Sequence, residues 1–521
     1  MLDDDAAAAD AAAFSPRNNK DAVLCEVLKA SGPAILNNVA APAAAAVQLA
    51  LLGHAGTHAA EAVAAVAVWT AVTAVTSFCA NVANFVTVVT MARVGHALGA
   101  QQWLLLGRMA RAVIGAALLV GAVLALALWL ARTPVLAALS LNDKSRHEAS
   151  LAAAFLPPAI LRVPPLLLLR ACSSILCGYQ RVRLASAINT SLALADTLAF
   201  YVALHVFHLD LPALGFIVAA TCASAALAAL LAVALLPPDP KAGLCRCRAT
   251  ATHAETFGGG GFQVPTHPAS LLSLACDSAN VLIRSLLLSG SVLSLTVAIA
   301  PLGSAPLNAH AVILQLWMLT SYIVDGFADA GTMIGSRLLG EGEARQMRWL
   351  TTILALLGLG TGLVASALLV ALHRPLVHAF TRDAATIDAL AGGLWTLLVA
   401  LQPINALVFV YDGLLYATQS FRYVRNALAA GVLLVFAPSL GLVVGLSHSL
   451  LAVWAAKAGL NGWRCLTALF RIHVQLWPQW VPRPRGPPLS AVPSSMLNAD
   501  MTQGDVTRTS DFNANDFVAV D

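Results

Sequence analysis

Acidic side chains lie inside an apolar segment that is long enough to cross a bilayer. Residues 308–342 carry Gln315, Asp325 and Asp329 before they end in Arg337 and three glycines. A carboxylate at bilayer depth costs at least about 2.5 kcal/mol, so it is normally buried in a helix bundle or lines a watery cavity. Asp325 and Asp329 are four residues apart and therefore face one side of a helix. The pattern predicts a transport pathway; the alternative is that both acids are solvated near a helix end.

Several other apolar segments carry polar side chains, mostly at spacings that place them on one helical face. They are Gln48; Asn189 and Asp196; Asp277, Asn280 and Arg284; Gln402, Asn405 and Asp412; and Lys457 and Asn461. A carrier needs groups whose charge or solvation changes as it cycles. Burial raises the pKa of an acid, whereas a neighbouring cation lowers it. We therefore predict that Asp196, Asp325 and Asp412 bind and release a proton as a cavity opens and closes.

Two cations inside these segments allow alternative interpretations. Arg284 can hold an anionic substrate, because a guanidinium binds carboxylates through two parallel hydrogen bonds. Alternatively, it forms a permanent ion pair with Asp277 or another acid, such as Asp196 or Asp412. For Lys457 we expect a side chain that extends toward the lipid headgroups. The predicted pathway residues are Asp196, Asn280, Arg284, Gln315, Asp325, Gln402, Asn405 and Asp412, with Gln48, Asp277, Asp329 and Lys457 as secondary candidates.

The composition predicts that these segments belong to a polytopic membrane protein. Of the 521 residues, 59% are hydrophobic and 11% are charged, and the net charge is +4. A soluble domain has about 25% charged residues. Apolar stretches long enough to span a bilayer recur twelve times. We place them at 24–52, 62–91, 108–131, 150–178, 184–205, 212–236, 270–299, 308–336, 346–373, 387–416, 423–446 and 450–473.

The longest internal hydrophilic stretch divides the twelve spans into six and six. We predict a disordered N-terminal tail, an N-lobe, an interlobe linker, a C-lobe and a disordered C-terminal tail, at 1–21, 22–237, 238–269, 270–475 and 476–521. Lys and Arg concentrate in the loops that follow even-numbered spans, which places those loops, the linker and both termini in the cytosol. The membrane in which the protein resides is not indicated.

An internal repeat supports this division. The matched positions are Gly99 with Gly340, Asp143 with Asp383, Pro164 with Pro403 one helical position on, and Gln180 with Gln419. Since six is an even number, both halves enter the membrane from the same side. The sequence thus predicts an all-α fold of twelve transmembrane helices in two parallel six-helix lobes, related by an axis along the membrane normal. Such transporters bind substrate between the lobes and alternate between two openings.

Several stretches resemble the multidrug and toxic compound extrusion (MATE) family, in particular its DinF-like branch. The most specific are NAHAVILQLWMLTSYIVDGFADAG at 308–331 and QPINALVFVYDGLLYATQSFRYVRNA at 402–427. Three further stretches support the resemblance: NVLIRSLLLS, VQLALLGHAG and LRVPPLLLLRACSSILCGYQ. The resemblance covers about 25–475 and implies twelve helices in two lobes, with export of drugs, organic cations or organic acids coupled to H⁺ or Na⁺.

The resemblance also assigns roles to individual positions. Asp196 matches the acid of helix 5 in the family, Gln315 and Asp325 match helix 8, and Asp412 matches helix 10. Two departures weaken the usual N-lobe ion site: Gln48 stands where helix 1 often has an Asp, and Leu192 replaces an Asn of helix 5. Coupling is then expected at Asp325 and Asp412, unless the protein is a facilitator.

We therefore expect a secondary active transporter, an H⁺- or Na⁺-coupled antiporter that exports small organic compounds. Arg284 favours an organic anion over a drug cation. The alternatives are a lipid-linked flippase of the same superfamily and a non-transporting membrane receptor or scaffold. We expect a monomer in the bilayer with a small-molecule substrate and no nucleic-acid partner. No zinc-protease, nucleophile-elbow or nucleotide-binding motif occurs, so we expect no enzymatic activity, metal or cofactor.

Overall fold

The structure is a computed structural model that describes 20–53, 65–73, 75–76, 84–138, 146–244, 269–380, 383–391, 393–446 and 449–480. Most of both predicted tails, most of the predicted linker and the repeat position Asp143 lie outside these residues. The described part of the chain contains helices and no strand.

Eight α-helices have bounds within the described residues of the first half. They are α1 (Lys20–Gly53), α2 (Asn84–Gly99), α3 (Trp103–Leu130), α4 (Arg132–Ala138), α5 (Arg146–Leu161), α6 (Val163–Gly178), α7 (Val182–His205) and α8 (Leu211–Leu235). Residues 65–73 and 75–76 are helical as well. The predicted fourth span, 150–178, is interrupted at Arg162, because Pro164 and Pro165 have no N–H for the helical ladder.

Nine α-helices lie within the described residues of the second half. They are α9 (Ala269–Ile299), α10 (Ser304–Gly340), α11 (Ala344–Ala371), α12 (His373–Phe380), α13 (Ala384–Leu390), α14 (Gly393–Ala417), α15 (Phe421–Gly431), α16 (Ala437–Leu446) and α17 (Leu450–Leu469). The predicted tenth span began too early, since 384–390 form the separate helix α13. Asp383 caps α13 by accepting hydrogen bonds from the Thr386 N–H (3.0 Å) and Oγ1 (2.6 Å).

Among the described residues, ten helices are long and apolar enough to cross a membrane. The predicted second span is represented by 65–73, 75–76 and the apolar helix Phe85–Gly99, with undescribed residues between them. The predicted twelfth span is α17, whose hydropathy is reduced by Lys457, Asn461 and Arg464. Charged residues at these positions indicate that α17 has a polar face inside the bundle.

Four apolar cores hold the helices together. Two lie within the first half, around Phe155 and Ile175, and one lies within the second half, around Leu398. The fourth core contains residues of both halves, including Val27 of α1 and Met333 of α10. The halves are therefore joined at the end where α1 begins and where α2 and α10 finish.

The repeat predicted from the sequence is visible in the backbone at the ends of four helices. Gln101 after α2 and Gly342 after α10 have φ of 56° and 76°, and Gln180 after α6 and Gln419 after α14 have φ of 62° and 56°. The amides of Gln101 and Gly342 donate to carbonyls three residues back, at 3.0 and 3.2 Å. Each pair has the left-handed helix stop that glycine most readily adopts. The matched positions of the sequence repeat thus correspond to equivalent helix ends in the two halves.

The two repeat-related glycines lie against each other where α2 crosses α10. A Cβ atom at Gly99 would be 2.1 Å from the Arg337 carbonyl oxygen, and one at Gly340 would be 2.2 Å from the His96 carbonyl oxygen. Only glycine permits such an approach of two backbones. The contact closes the bundle at this end, which the distribution of Lys and Arg predicts to be cytosolic.

Candidate substrate and ion pathway

A buried carboxylate with two guanidinium partners lies at the centre of the second half. Asp412 Oδ2 on α14 accepts hydrogen bonds from Arg464 Nη2 on α17, at 2.7 Å, and from Arg284 on α9. All three side chains are at most 14% exposed. Arg284 also stacks over the Tyr416 ring, with its Cζ 5.3 Å from the centroid. The alternative of an ion pair between Arg284 and an acid is thus realised, and the partner is Asp412 rather than Asp277, which pairs with Arg93.

The sequence analysis missed Arg464 as a partner of Asp412. A signal was available, since Arg464 lies seven residues after Lys457 and three after Asn461, and so shares their helical face. Buried ion pairs need good geometry and satisfied hydrogen bonds to offset the loss of water. Two guanidiniums on one carboxylate leave one positive charge that Asp412 does not balance.

The two acids of α10 lie next to this cluster. Asn38 of α1 donates to Asp329 Oδ2 at 3.0 Å, so Asp329 faces the other half of the protein. Asp325, one turn away, is within electrostatic range of Arg284, Asp329 and Asp412. It forms no hydrogen bond or ion pair with any residue that the structure describes. Both acids are half-buried, which agrees with the predicted polar stripe rather than with a solvated helix end.

Amides extend the cluster along α14. Thr320 Oγ1 donates to Gln402 Oε1 at 2.8 Å, and Asn405 Nδ2 donates to Ser321 Oγ at 3.0 Å. Gln402 and Asn405 are each 2% exposed. These bonds link α10 to α14. The predicted pathway residue Gln315, by contrast, is exposed on α10.

Lys457 does not extend to the headgroups as we expected. It is 6% exposed and lies within electrostatic range of Arg464. Its neighbour Asn461 donates from Nδ2 to Asn405 Oδ1 at 3.4 Å, while the Asn461 Oδ1 atom is buried with no partner among the described residues. The polar face of α17 therefore packs inward on α14. This packing explains why Lys457 cannot reach the membrane surface.

The acid of the first half has separate partners. Asp196 on α7 is 4% exposed and accepts a hydrogen bond from Thr221 Oγ1 on α8. Arg162 Nη2 is 3.6 Å from Asp196 Oδ2. The alternative in which Asp196 pairs with Arg284 is thus wrong. Sequence reasoning missed Arg162, which stands just before the Pro164–Pro165 interruption. Gln48 on α1 is buried, 5% exposed.

Asn189, predicted to share a face with Asp196, belongs to a second polar group of the first half. Its Nδ2 donates to Asn37 Oδ1 at 2.7 Å and to Ser173 Oγ at 3.1 Å. Because Asn38 is the neighbour of Asn37 on α1, this group leads directly to Asp329. The polar side chains of the two halves therefore meet at α1.

The three polar residues on one face of α9 bind three different helices. Asp277 accepts from Arg93 Nε of α2 at 3.0 Å, Asn280 Oδ1 accepts from Arg425 Nη1 of α15 at 2.6 Å, and Arg284 reaches α14. Arg93 thus lies within α2. Asp277, a secondary pathway candidate, thus contacts the other half of the protein.

A second ion pair between the halves mirrors that of Asp277. Glu26 of α1 accepts from Arg337 Nη2 of α10 at 2.6 Å. In each pair, an acid on the first helix of one half meets an arginine on the second helix of the other half. Gln180 Nε2 adds a hydrogen bond of 2.9 Å to the Met333 carbonyl oxygen. These contacts surround the crossing of Gly99 and Gly340.

This architecture is that of a polytopic helical transporter: two related halves, joined at one end, with charged side chains in the membrane interior. Comparison with known proteins supports the class. The profile of the MatE family matches residues 33–202 and 281–440, once in each half. The chain belongs to the MatE family, as the sequence resemblance predicted, and its fold is the twelve-helix fold of that family in two six-helix lobes.

The curated relatives are plant proteins. Protein DETOXIFICATION 44, chloroplastic, of Arabidopsis thaliana is 30% identical over 169 residues, which are 31% of this chain and 32% of that protein. Protein DETOXIFICATION 42 of the same plant is 30% identical over 167 residues, again 31% of this chain and 32% of that protein. The alignments thus span about a third of the length of these relatives.

Solved transporters share the fold over nearly their whole length. The Vibrio cholerae MATE transporter VcmN in the bent form has a TM-score of 0.70 at 15% identity, and the match covers 88% of this chain and 99% of VcmN. The eukaryotic MATE transporter AtDTX14 has a TM-score of 0.71 at 15% identity, with 88% and 97% covered. A Pyrococcus furiosus MOP superfamily transporter described by the reverse polarity of its binding pocket has a TM-score of 0.71 at 13% identity, also with 88% and 97% covered.

Proposed function

We propose that this protein is a secondary active transporter of small organic anions, coupled to H⁺ or Na⁺ and working by alternating access between its two lobes. The observation that carries the proposal is the binding of two guanidiniums, Arg284 and Arg464, to the single carboxylate of Asp412. The lobes, at 22–237 and 270–475, are proposed to move as units about the contacts at the closed end.

The charge of the cluster favours an anionic substrate. Guanidiniums remain protonated inside proteins and bind carboxylates through paired N–H donors. Because Asp412 balances one of them, the cluster has a donor and a charge available for a substrate carboxylate. Gln402 and Asn405 supply further amide groups nearby. A small compound with several carboxylates suits this set of groups better than a neutral one.

The position of Asp325 relative to Arg284 provides a means of coupling. When Asp325 is ionised, it competes with a substrate anion for the positive potential of Arg284. When Asp325 binds a proton or Na⁺, the cluster has a net positive charge and attracts the anion. An anionic substrate therefore binds best when the proton is also bound. Binding of both to the same state predicts co-transport of the anion and the proton, whereas the sequence led us to expect antiport.

A cationic substrate is the second candidate, favoured by Asp325 and Asp329. Two carboxylates one turn apart repel each other, and binding of a cation between them relieves that repulsion. A drug-like cation would compete with the proton for the same acids, which is antiport. The two candidates therefore differ in the charge of the substrate and in the sign of its coupling to protons.

Exchange of labelled compounds by the purified full chain in proteoliposomes separates these candidates. We expect exchange of a tricarboxylate probe and slower exchange of a cationic dye. Arg464→Gln should lower tricarboxylate exchange at least about tenfold, the equivalent of about 1.4 kcal/mol. Arg464→Lys, which keeps the charge but not the paired donors, should retain part of it, and the exposed Arg422→Gln should match wild type. Exchange of the dye but not the tricarboxylate would overturn the anion proposal.

A further inference from the structure

A basic groove lies at the closed end of the protein, and its lining contains none of the proposed pathway residues. It has a volume of about 500 Å³ and is lined by residues of α1, of α10 and of the turn between α6 and α7. We propose that this basic groove binds the phosphate-bearing headgroup of an anionic membrane lipid.

Three cations line the groove: Lys29 on α1, and Arg181 and Arg183 at the start of α7. Their side chains form no hydrogen bond or ion pair with any residue within the described ranges. The one acid in the lining, Glu26, is bound by Arg337 at 2.6 Å. The groove therefore has an uncompensated positive charge, which attracts an anion.

Phosphate chemistry fits this arrangement. The turn that ends at Arg181 directs the N-terminus of α7 toward the groove, and the first N–H groups of a helix have no acceptor within it. A helix N-terminus together with arginines is a favourable environment for a phosphate. Here the arginines, and not the helix end alone, define the site.

The position of the groove indicates a lipid rather than a soluble anion. Basic side chains beside transmembrane helices bind the headgroups of anionic lipids. Apolar residues, among them Ala30, Met333 and Ile334, line the same groove and lie alongside the charges. Leu28, next to Lys29 on α1, is 54% exposed, so an acyl chain can lie against it beside the groove. A lipid whose headgroup binds in the groove can thus keep its acyl chains in the bilayer.

The groove exists only where the two halves meet. Lys29, Arg181 and Arg183 belong to the first half, and Met333 and Ile334 belong to the second. The hydrogen bond from Gln180 to the Met333 carbonyl oxygen lies in the groove wall. A lipid that contacts both halves stabilises the arrangement in which they are closed, because a ligand favours the state it binds better. The site would therefore make the transport cycle sensitive to lipid composition.

Thermal unfolding of the purified full chain in nanodiscs tests the proposal. Phosphatidylglycerol in phosphatidylcholine should raise the unfolding midpoint of wild type and of Arg181→Lys/Arg183→Lys. The rise should be lost in the double variant Arg181→Gln/Arg183→Gln and reduced in Lys29→Gln. If the double variant fails to fold, Lys29→Gln is the test variant. The control Arg108→Gln/Arg422→Gln removes two exposed arginines outside the groove and should respond like wild type.

Two outcomes would overturn the lipid site. One is equal stabilisation by phosphatidylglycerol of the glutamine variants and of wild type. The other is that inorganic phosphate or glycerophosphate, at matched concentration in phosphatidylcholine discs, stabilises wild type as much as phosphatidylglycerol does. The second result would assign the groove to a soluble anion.

Discussion

Gly99 and Gly340 occupy equivalent positions in the two halves, and each lies against the backbone of the other's helix. A Cβ atom at either residue would be within 2.2 Å of a carbonyl oxygen across the contact. A helix crossing that leaves no space for a methyl group has one tightly packed arrangement, which must separate before this end can open. Since the repeat places a glycine on each side of this contact, we expect the contact to act as a gate between the halves.

Enlarging either glycine should force the closed end apart. We expect Gly99→Val and Gly340→Val to lower the unfolding midpoint or to shift the protein toward a state open at this end. The matched control is Gly360→Val, since a Cβ built at Gly360 would meet no atom of another part of the protein within 4 Å. The measurement is the rate at which a maleimide labels a cysteine introduced at the buried Val23, beside the crossing, in a background where the exposed Cys25 and Cys276 are replaced by serine. Labelling of the valine variants at the wild-type rate, with unchanged unfolding, would show that the gate is elsewhere.

The two ion pairs between the halves, Glu26 with Arg337 and Asp277 with Arg93, should both stabilise the closed state of the same gate. Glu26→Gln and Asp277→Asn each remove one pair, and we expect each to accelerate labelling of the closed end. The effect is modest, about 0.2–1 kcal/mol for a partly exposed pair. The exchanged pair Arg93→Asp with Asp277→Arg should restore slow labelling. Failure of both single variants to change the rate would indicate that the pairs form without stabilising the closed state.

Removing Asp412 should destabilise the protein more than removing either guanidinium. Asp412→Asn leaves Arg284 and Arg464 buried beside each other without a counter-charge, and an uncompensated buried charge costs about 3–5 kcal/mol. Arg464→Gln leaves Asp412 bound to Arg284. Thermal unfolding in detergent compares the two, with the exposed Asp388→Asn as control. Equal loss of stability in Asp412→Asn and Arg464→Gln would contradict the proposed charge balance.

The cap of α13 predicts a pH-dependent contribution outside the membrane. Hydrogen bonds from the Thr386 side chain and backbone lower the pKa of Asp383 below its usual range. A lowered folded-state pKa stabilises the fold above the unfolded pKa, about 3.9 for Asp, and the contribution is lost as pH falls through the folded value. The difference in unfolding midpoint between wild type and Asp383→Ala should therefore be largest near neutral pH and shrink in acid. A difference that grows in acid would contradict this assignment.

The sequence predicted the fold because hydropathy, loop charge and the repeat are all local patterns. It also located the acids of α10 and the polar face of α9. It named Asp412 only as one of several possible partners of Arg284, because partners depend on how helices rotate against one another. Arg162 was missed for that reason, whereas the spacing of Arg464 from Lys457 and Asn461 already placed it on their helical face. The expectation for Lys457 failed because composition does not show that the polar face of α17 points inward.

The response of substrate affinity to pH tests the central claim that Asp325 controls anion binding by Arg284 and Arg464. Tricarboxylate affinity should be measured above neutral pH, where the carboxylates of the probe stay ionised. In wild type the affinity should rise as pH falls. In Asp325→Asn, which imitates the protonated acid, it should be high and independent of pH, whereas the control Asp388→Asn should follow wild type. An Asp325→Asn variant with the same pH dependence as wild type, or with no affinity for the anion, would contradict the account.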